Sequence, residues 1–163
     1  TCALPICMNA KHATPVTPSW YGDSIGHYEG DTLVIDTVGV KDDRPYAMAD
    51  VYGTPYSKSL HVVERYRLVD YETGQAGIAR AMKENFAIPS DDSGLILDKD
   101  YKGKALQLAF TVEDENVFTM PWSASMTYRR ALGAWPESVC AENTHEYYAN
   151  RDSDVPRAEK PDF

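Results

Sequence analysis

Residues 60–69 alternate along one unbroken run. Leu60, Val62, Tyr66 and Leu68 fall on one side together with Glu64, and His61, Val63, Arg65, Arg67 and Val69 on the other. A period of two is the signature of a strand with one face on a core. It recurs at 106–113, where Leu106, Leu108, Phe110 and Val112 alternate with Gln107, Ala109, Thr111 and Glu113. It recurs again within 118–131, where Ala124, Met126 and Tyr128 oppose Ser123, Ser125, Thr127 and Arg129. Residues 32–38 differ. Leu33 and Ile35 point one way and Val34 and Val38 the other, so this strand is expected to be buried on both sides. Asp114-Glu115-Asn116 supplies a turn, and Ser138 to Ala141 is expected to be a last short strand.

One stretch has another period. Ile78, Ala79, Met82 and Phe86 recur at helical spacing, which predicts a short amphipathic helix over 75–86 that cannot pass Pro89. The expected fold is therefore mainly β: an antiparallel curved sheet or partial barrel with a helical insertion at about 71–104. Residues 8–150 are expected to form one β-rich domain, and 151–163 an extended tail.

The first six residues, Thr-Cys-Ala-Leu-Pro-Ile, equal one reading frame of a common short-read sequencing adapter. Residues 1–7 are accordingly read as an artefact and its junction. The chain is expected to be cut at its upstream end, the rival being a true start at Met8. Cys140 is then the one secure thiol, which makes neither a disulfide framework nor a zinc pattern.

The net charge of -9 and the lack of any basic run argue against nucleic acid. No apolar run approaches the ~20 residues of a membrane span. The sequence leaves cofactor and metal dependence open.

Candidate chemistry is scattered. Gly22-Asp23-Ser24-Ile25-Gly26 matches the nucleophile turn of serine hydrolases, but a strand signal rather than a helix follows it. His27, Glu29 and Asp31 occupy alternate positions, so an extended backbone would project them to one side. They are candidate metal ligands, and His27 a candidate acid or base; the competing reading is a solvated turn. Glu64 shares an apolar face, which makes it a candidate acid or base or half of an ion pair with Arg130. Cys140 and His145 are close in sequence, but a buried inert thiol is the simpler reading. Trp20, Trp122 and Trp135, with 11 Tyr, suit either a core or an aromatic ligand cleft.

The run Ser24-Ile25-Gly26-His27-Tyr28-Glu29-Gly30-Asp31-Thr32-Leu33-Val34-Ile35-Asp36-Thr37 resembles the signature of a family of uncharacterised bacterial β-rich proteins. In that signature Ile or Val, His or Arg, and Trp or Tyr alternate at the variable places. The resemblance continues through 59–66, 110–114, Pro121-Trp122 and 140–143. It implies further β-structure upstream, a signal peptide and a periplasmic or secreted location, and it carries no catalytic residues with it.

The leading expectation is an extracytoplasmic protein that binds a small organic or saccharide ligand. Glu64, His61, Trp122, Tyr66 and Tyr128 would be its contacts. The alternative is a hydrolase, lyase or isomerase using Glu64 or His27, with or without a metal. A structural module with a broad exposed sheet surface is a third possibility.

Overall fold

In the computed structural model of the chain, residues 6–43, 47–49, 53–84, 96–98, 100–128, 130–132, 145–146 and 151–152 are described. The chain divides into two compact units. One spans 4–134; the other joins 1–3 to 135–163. The described part of the smaller unit is an antiparallel pair, β9 (His145–Glu146) with β10 (Arg151–Asp152).

The larger unit is built on a six-stranded sheet. Its strands are β1 (Ile6–Met8), β2 (Asp23–Glu29), β3 (Thr32–Val38), β4 (His61–Val69), β6 (Ala105–Glu113) and β7 (Trp122–Tyr128), side by side in that order. Only the first pair, β1 with β2, is parallel. The others are antiparallel, and the sheet stays open. Two short strands, β5 (Ile96–Leu97) and β8 (Ala131–Leu132), pair separately. Among the described residues the fold is thus mainly β with one helix, a curved sheet and not a barrel.

The register puts the alternation to use. Ile35, Glu64, Phe110 and Ala124 lie in one row, and Leu33, Tyr66, Leu108 and Met126 in the next. This is the apolar face. Tyr56, Leu60 and Val112 are buried against it, packed by Val40, Val62, Phe110 and Phe118. Trp122 meets Phe110 and Phe118 edge-on, with ring centroids 5.7 and 6.0 Å away. On β3 both Val34 and Ile35 are buried, as a strand covered on both sides requires.

Residues 22–26 do not form a nucleophile turn. They enter β2, and the Ser24 hydroxyl bonds the Thr37 hydroxyl at 2.8 Å across the ladder. A sharp strand-to-helix turn has no place in the middle of a paired strand.

The helix α1 (Tyr71–Lys83) starts four residues earlier than its periodicity suggested. Asp70 caps it, accepting from the Thr73 N–H at 2.7 Å. Glu72 in the first turn and Arg80 and Lys83 in the last complement the helix dipole. Phe86 and Pro89 lie outside the described residues. Two glycines let the helix approach the sheet. A Cβ on Gly74 would stand 2.7 Å from the Ala105 Cβ, and one on Gly77 would collide with Thr127. Gly74→Val is expected to cost ~1–3 kcal/mol through overpacking. Urea unfolding measures it, and an unchanged midpoint would mean that the helix does not dock through Gly74.

Candidate functional site

The second face of the sheet gathers charge at one end. Asp23 pairs with Val38, Val38 with His61, and His61 with Glu113. Asp36 sits two residues from Val38 on β3 and so shares their face. The register alone therefore brings Asp23, Asp36, His61 and Glu113 onto one side of four neighbouring strands.

A fifth group arrives from outside the sheet. The segment after β1 is tied down by the Asn9 N–H, which donates to the Gly26 carbonyl at 2.6 Å, and by the Ser19 N–H, which donates to the Gly39 carbonyl at 3.1 Å. Between these anchors His12 projects onto the cluster. Its Nδ1 lies 3.2 Å from Asp23 Oδ2 and its Nε2 3.0 Å from Asp36 Oδ1. The Ala13 N–H donates to the same Asp23 oxygen at 2.9 Å. The His61 Nε2 reaches Asp36 Oδ1 at 3.0 Å, and its Nδ1 faces Glu113 Oε2 at 3.4 Å.

One carboxylate oxygen thus stands between two imidazoles, and each imidazole has a second carboxylate at its other nitrogen. All four ring nitrogens face acceptors. A nitrogen bonds a carboxylate only when it carries hydrogen, so the doubly protonated ring satisfies both ends and the neutral ring only one. Burial disfavours charge on His12, but the hydrogen bonds to Asp36 and Asp23 and their negative charge outweigh it and raise its pKa. Asp23 is shifted down, first by the Ala13 N–H and then by His12.

These shifts fix a sign. A raised His12 adds stability below its ordinary value of 6.5, and that contribution is lost as pH rises through the folded value. A lowered Asp23 adds stability above 3.8, lost as pH falls through its folded value. The contact is strongest between the two, on the mildly acidic side. His12→Gln is expected to lower the melting temperature most near pH 5.5 and least near pH 8.5. A gap of constant size across that range, read by calorimetry, would contradict the assignment.

His61 is about one-third exposed and borders an open hollow of about 410 Å³. Lys58 and Ser59 also line it, as do Glu113 and Glu115. The Glu113 contact is the longer of the two that His61 makes and Glu113 itself is half exposed, so it is the contact more easily displaced.

The residues singled out from sequence are dispersed. His61 joins the cluster. Glu64 lies on the opposite face, as their odd separation dictates, and accepts the Tyr66 hydroxyl at 2.9 Å. Burial, then Glu64, pushes the Tyr66 pKa up. The expected ion pair with Arg130 is not formed: the Arg130 Nε faces Asp98 at 3.8 Å. Trp122 is an aromatic packing residue on the Glu64 face. Tyr128 lies in the row of Leu106, near the far end of the sheet. One cleft holding His61 with Glu64, Tyr66, Trp122 and Tyr128 is therefore not built.

His27 bonds Glu29 at 3.2 Å on the exposed surface. Asp31 sits in the turn beyond, where it accepts from Thr32. Among the described residues no group of three or more His, Cys, Asp or Glu side chains is placed to hold a metal ion, so His27, Glu29 and Asp31 are not gathered as ligands. Cys140 and Trp135 lie outside the described residues, as does the expected strand at 138–141.

Comparison with protein-family models, with curated proteins and with solved structures finds no match to this chain. Among the described residues no helix is long and apolar enough to cross a membrane.

Proposed function

We propose that this protein binds a small polar organic molecule in the hollow at His61 and performs acid–base chemistry on it, as a hydrolase, lyase or isomerase. One observation carries the reading: two histidines share a single carboxylate oxygen, and one of them opens onto a hollow. His61 is the acid or base. Asp36 holds its Nε2–H, so the ring orientation is fixed and the Nδ1 faces the ligand. His12 is a positioning residue that neutralises part of the Asp36 charge. Lys58, on the wall of the hollow, offers a cation to negative charge that develops on the ligand.

In the forward step the His61 Nδ1–H gives its proton to a ligand oxygen and keeps its Nε2–H on Asp36. In the return step it takes a proton from water or product. The family resemblance adds an extracytoplasmic setting to this proposal, tested by localising the tagged protein in cells.

The activity test is a panel of chromogenic esters, lactones and glycosides assayed from pH 5 to 9. Turnover with a pH-dependent limb that vanishes in His61→Gln is expected. Turnover that survives His61→Gln removes the histidine from the mechanism.

A further inference from the structure

A second site lies at the other end of the same strands. β4 spans roughly 26 Å at about 3.3 Å per residue, with His61 at its start and Val69, paired to Ala105, at its end. There α1 docks, and beside it remains a pocket of about 280 Å³.

The walls of this pocket are mostly aromatic and aliphatic, with the Gln75 amide, the Asp98 carboxylate and the Arg130 guanidinium among them. Ile78 and Met82 come from the helix, Tyr71 from its first turn, Tyr101 from the loop before β6, and Tyr128 from the end of β7. The close approach at Gly74 sets the floor with Ala105. Two of the rings are already held by cations. The Lys102 ammonium sits 4.9 Å from the Tyr71 ring centre and donates to the Tyr71 hydroxyl at 3.0 Å. The Arg130 guanidinium sits 4.8 Å from the Tyr101 ring centre. Arg130 borders the pocket, and its contact to Asp98 uses Nε at 3.8 Å, outside hydrogen-bond range.

We propose that this pocket binds a monocyclic aromatic carboxylate. The volume suits one ring and not an extended ligand. Tyrosine edges and aliphatic walls suit an aromatic face better than a sugar, whose hydroxyls each need a partner. A planar guanidinium is the group that matches a carboxylate with two parallel hydrogen bonds. The site rests on none of the residues of the His12–Asp36–His61 cluster, so either can fail without the other.

Sodium benzoate is the probe, followed by saturation-transfer NMR and by amide shifts in the full chain. Benzyl alcohol and benzylamine serve as neutral and reversed-charge controls. Saturable benzoate binding is expected, with a Kd on the order of a millimolar for so small a ligand. Arg130→Met, at an exposed side chain, should weaken it at least fivefold and erase the preference over benzyl alcohol. Ile78→Trp should block it by filling the pocket. His61→Gln should leave it unchanged. The absence of saturable binding, equal binding of benzylamine, an unchanged Kd in Arg130→Met, or loss of binding in His61→Gln would each overturn the proposal.

Discussion

Asp114→Ala should unfold this protein at a markedly lower denaturant concentration, with a loss of roughly 2–4 kcal/mol. Asp114 is 2% exposed, the one buried charged side chain among the described residues. Its Oδ2 accepts the Ser57 N–H at 2.6 Å, and its Oδ1 accepts the Ser57 hydroxyl at 2.7 Å and the Asn116 N–H at 3.2 Å. Its own carbonyl accepts the Val117 and Phe118 N–H groups. Asn116 completes the knot by donating to Ser57 and Ser59. The carboxylate therefore ties the β6–β7 turn to the loop that delivers Tyr56 and Leu60 into the core. Alanine leaves those donors without an acceptor. Asparagine keeps one oxygen and should lose less. For a domain of this size the melting temperature falls by about 2–4 °C per kcal/mol. A loss below about 1 kcal/mol would mean that water replaces the carboxylate at little cost.

The second large effect is on chemistry. Asp36→Asn should lower any turnover found in the substrate panel by about 10²–10⁴-fold, the usual range for a lost acid–base arrangement. The side chain is about one-third exposed, so the fold should survive. An amide can present one oxygen but carries no charge, and it would hold neither imidazolium as a carboxylate does. The signature is a fall in kcat at an unchanged melting temperature, whereas a merely structural role would lower both.

Much of the sheet was legible. The strands β4, β6 and β7 pair in the register that keeps each face as the period assigns it, although on β7 the side chains of both faces stay largely exposed. The strand β2 was not legible. Gly22, Ser24, Gly26 and Glu29 have turn chemistry, and only the ladder to β3, from Asp23 with Val38 to Glu29 with Thr32, makes them a strand. The helix start was hidden because Asp70 acts through a cap, which has no period.

The candidate site was legible only in part. His61 was visible on β4. Asp36 carried a signal, a carboxylate inside a strand buried on both sides. His12 carried none, because its segment has no periodicity and its role comes from where the chain crosses the sheet. Glu64 drew attention for its apolar face, and that face supplied a tyrosine hydroxyl rather than a reaction partner.

The most direct test of the account is an imidazole-nitrogen NMR titration of the wild type and Asp36→Asn. Both nitrogens of His12 are expected to carry hydrogen at pH 6, His12 to titrate above the ordinary histidine value, and the His12 and His61 signals both to move when Asp36 becomes Asn. A His12 that titrates like a free imidazole, with neither ring sensitive to Asp36→Asn, would contradict the shared carboxylate and the acid–base site built on it.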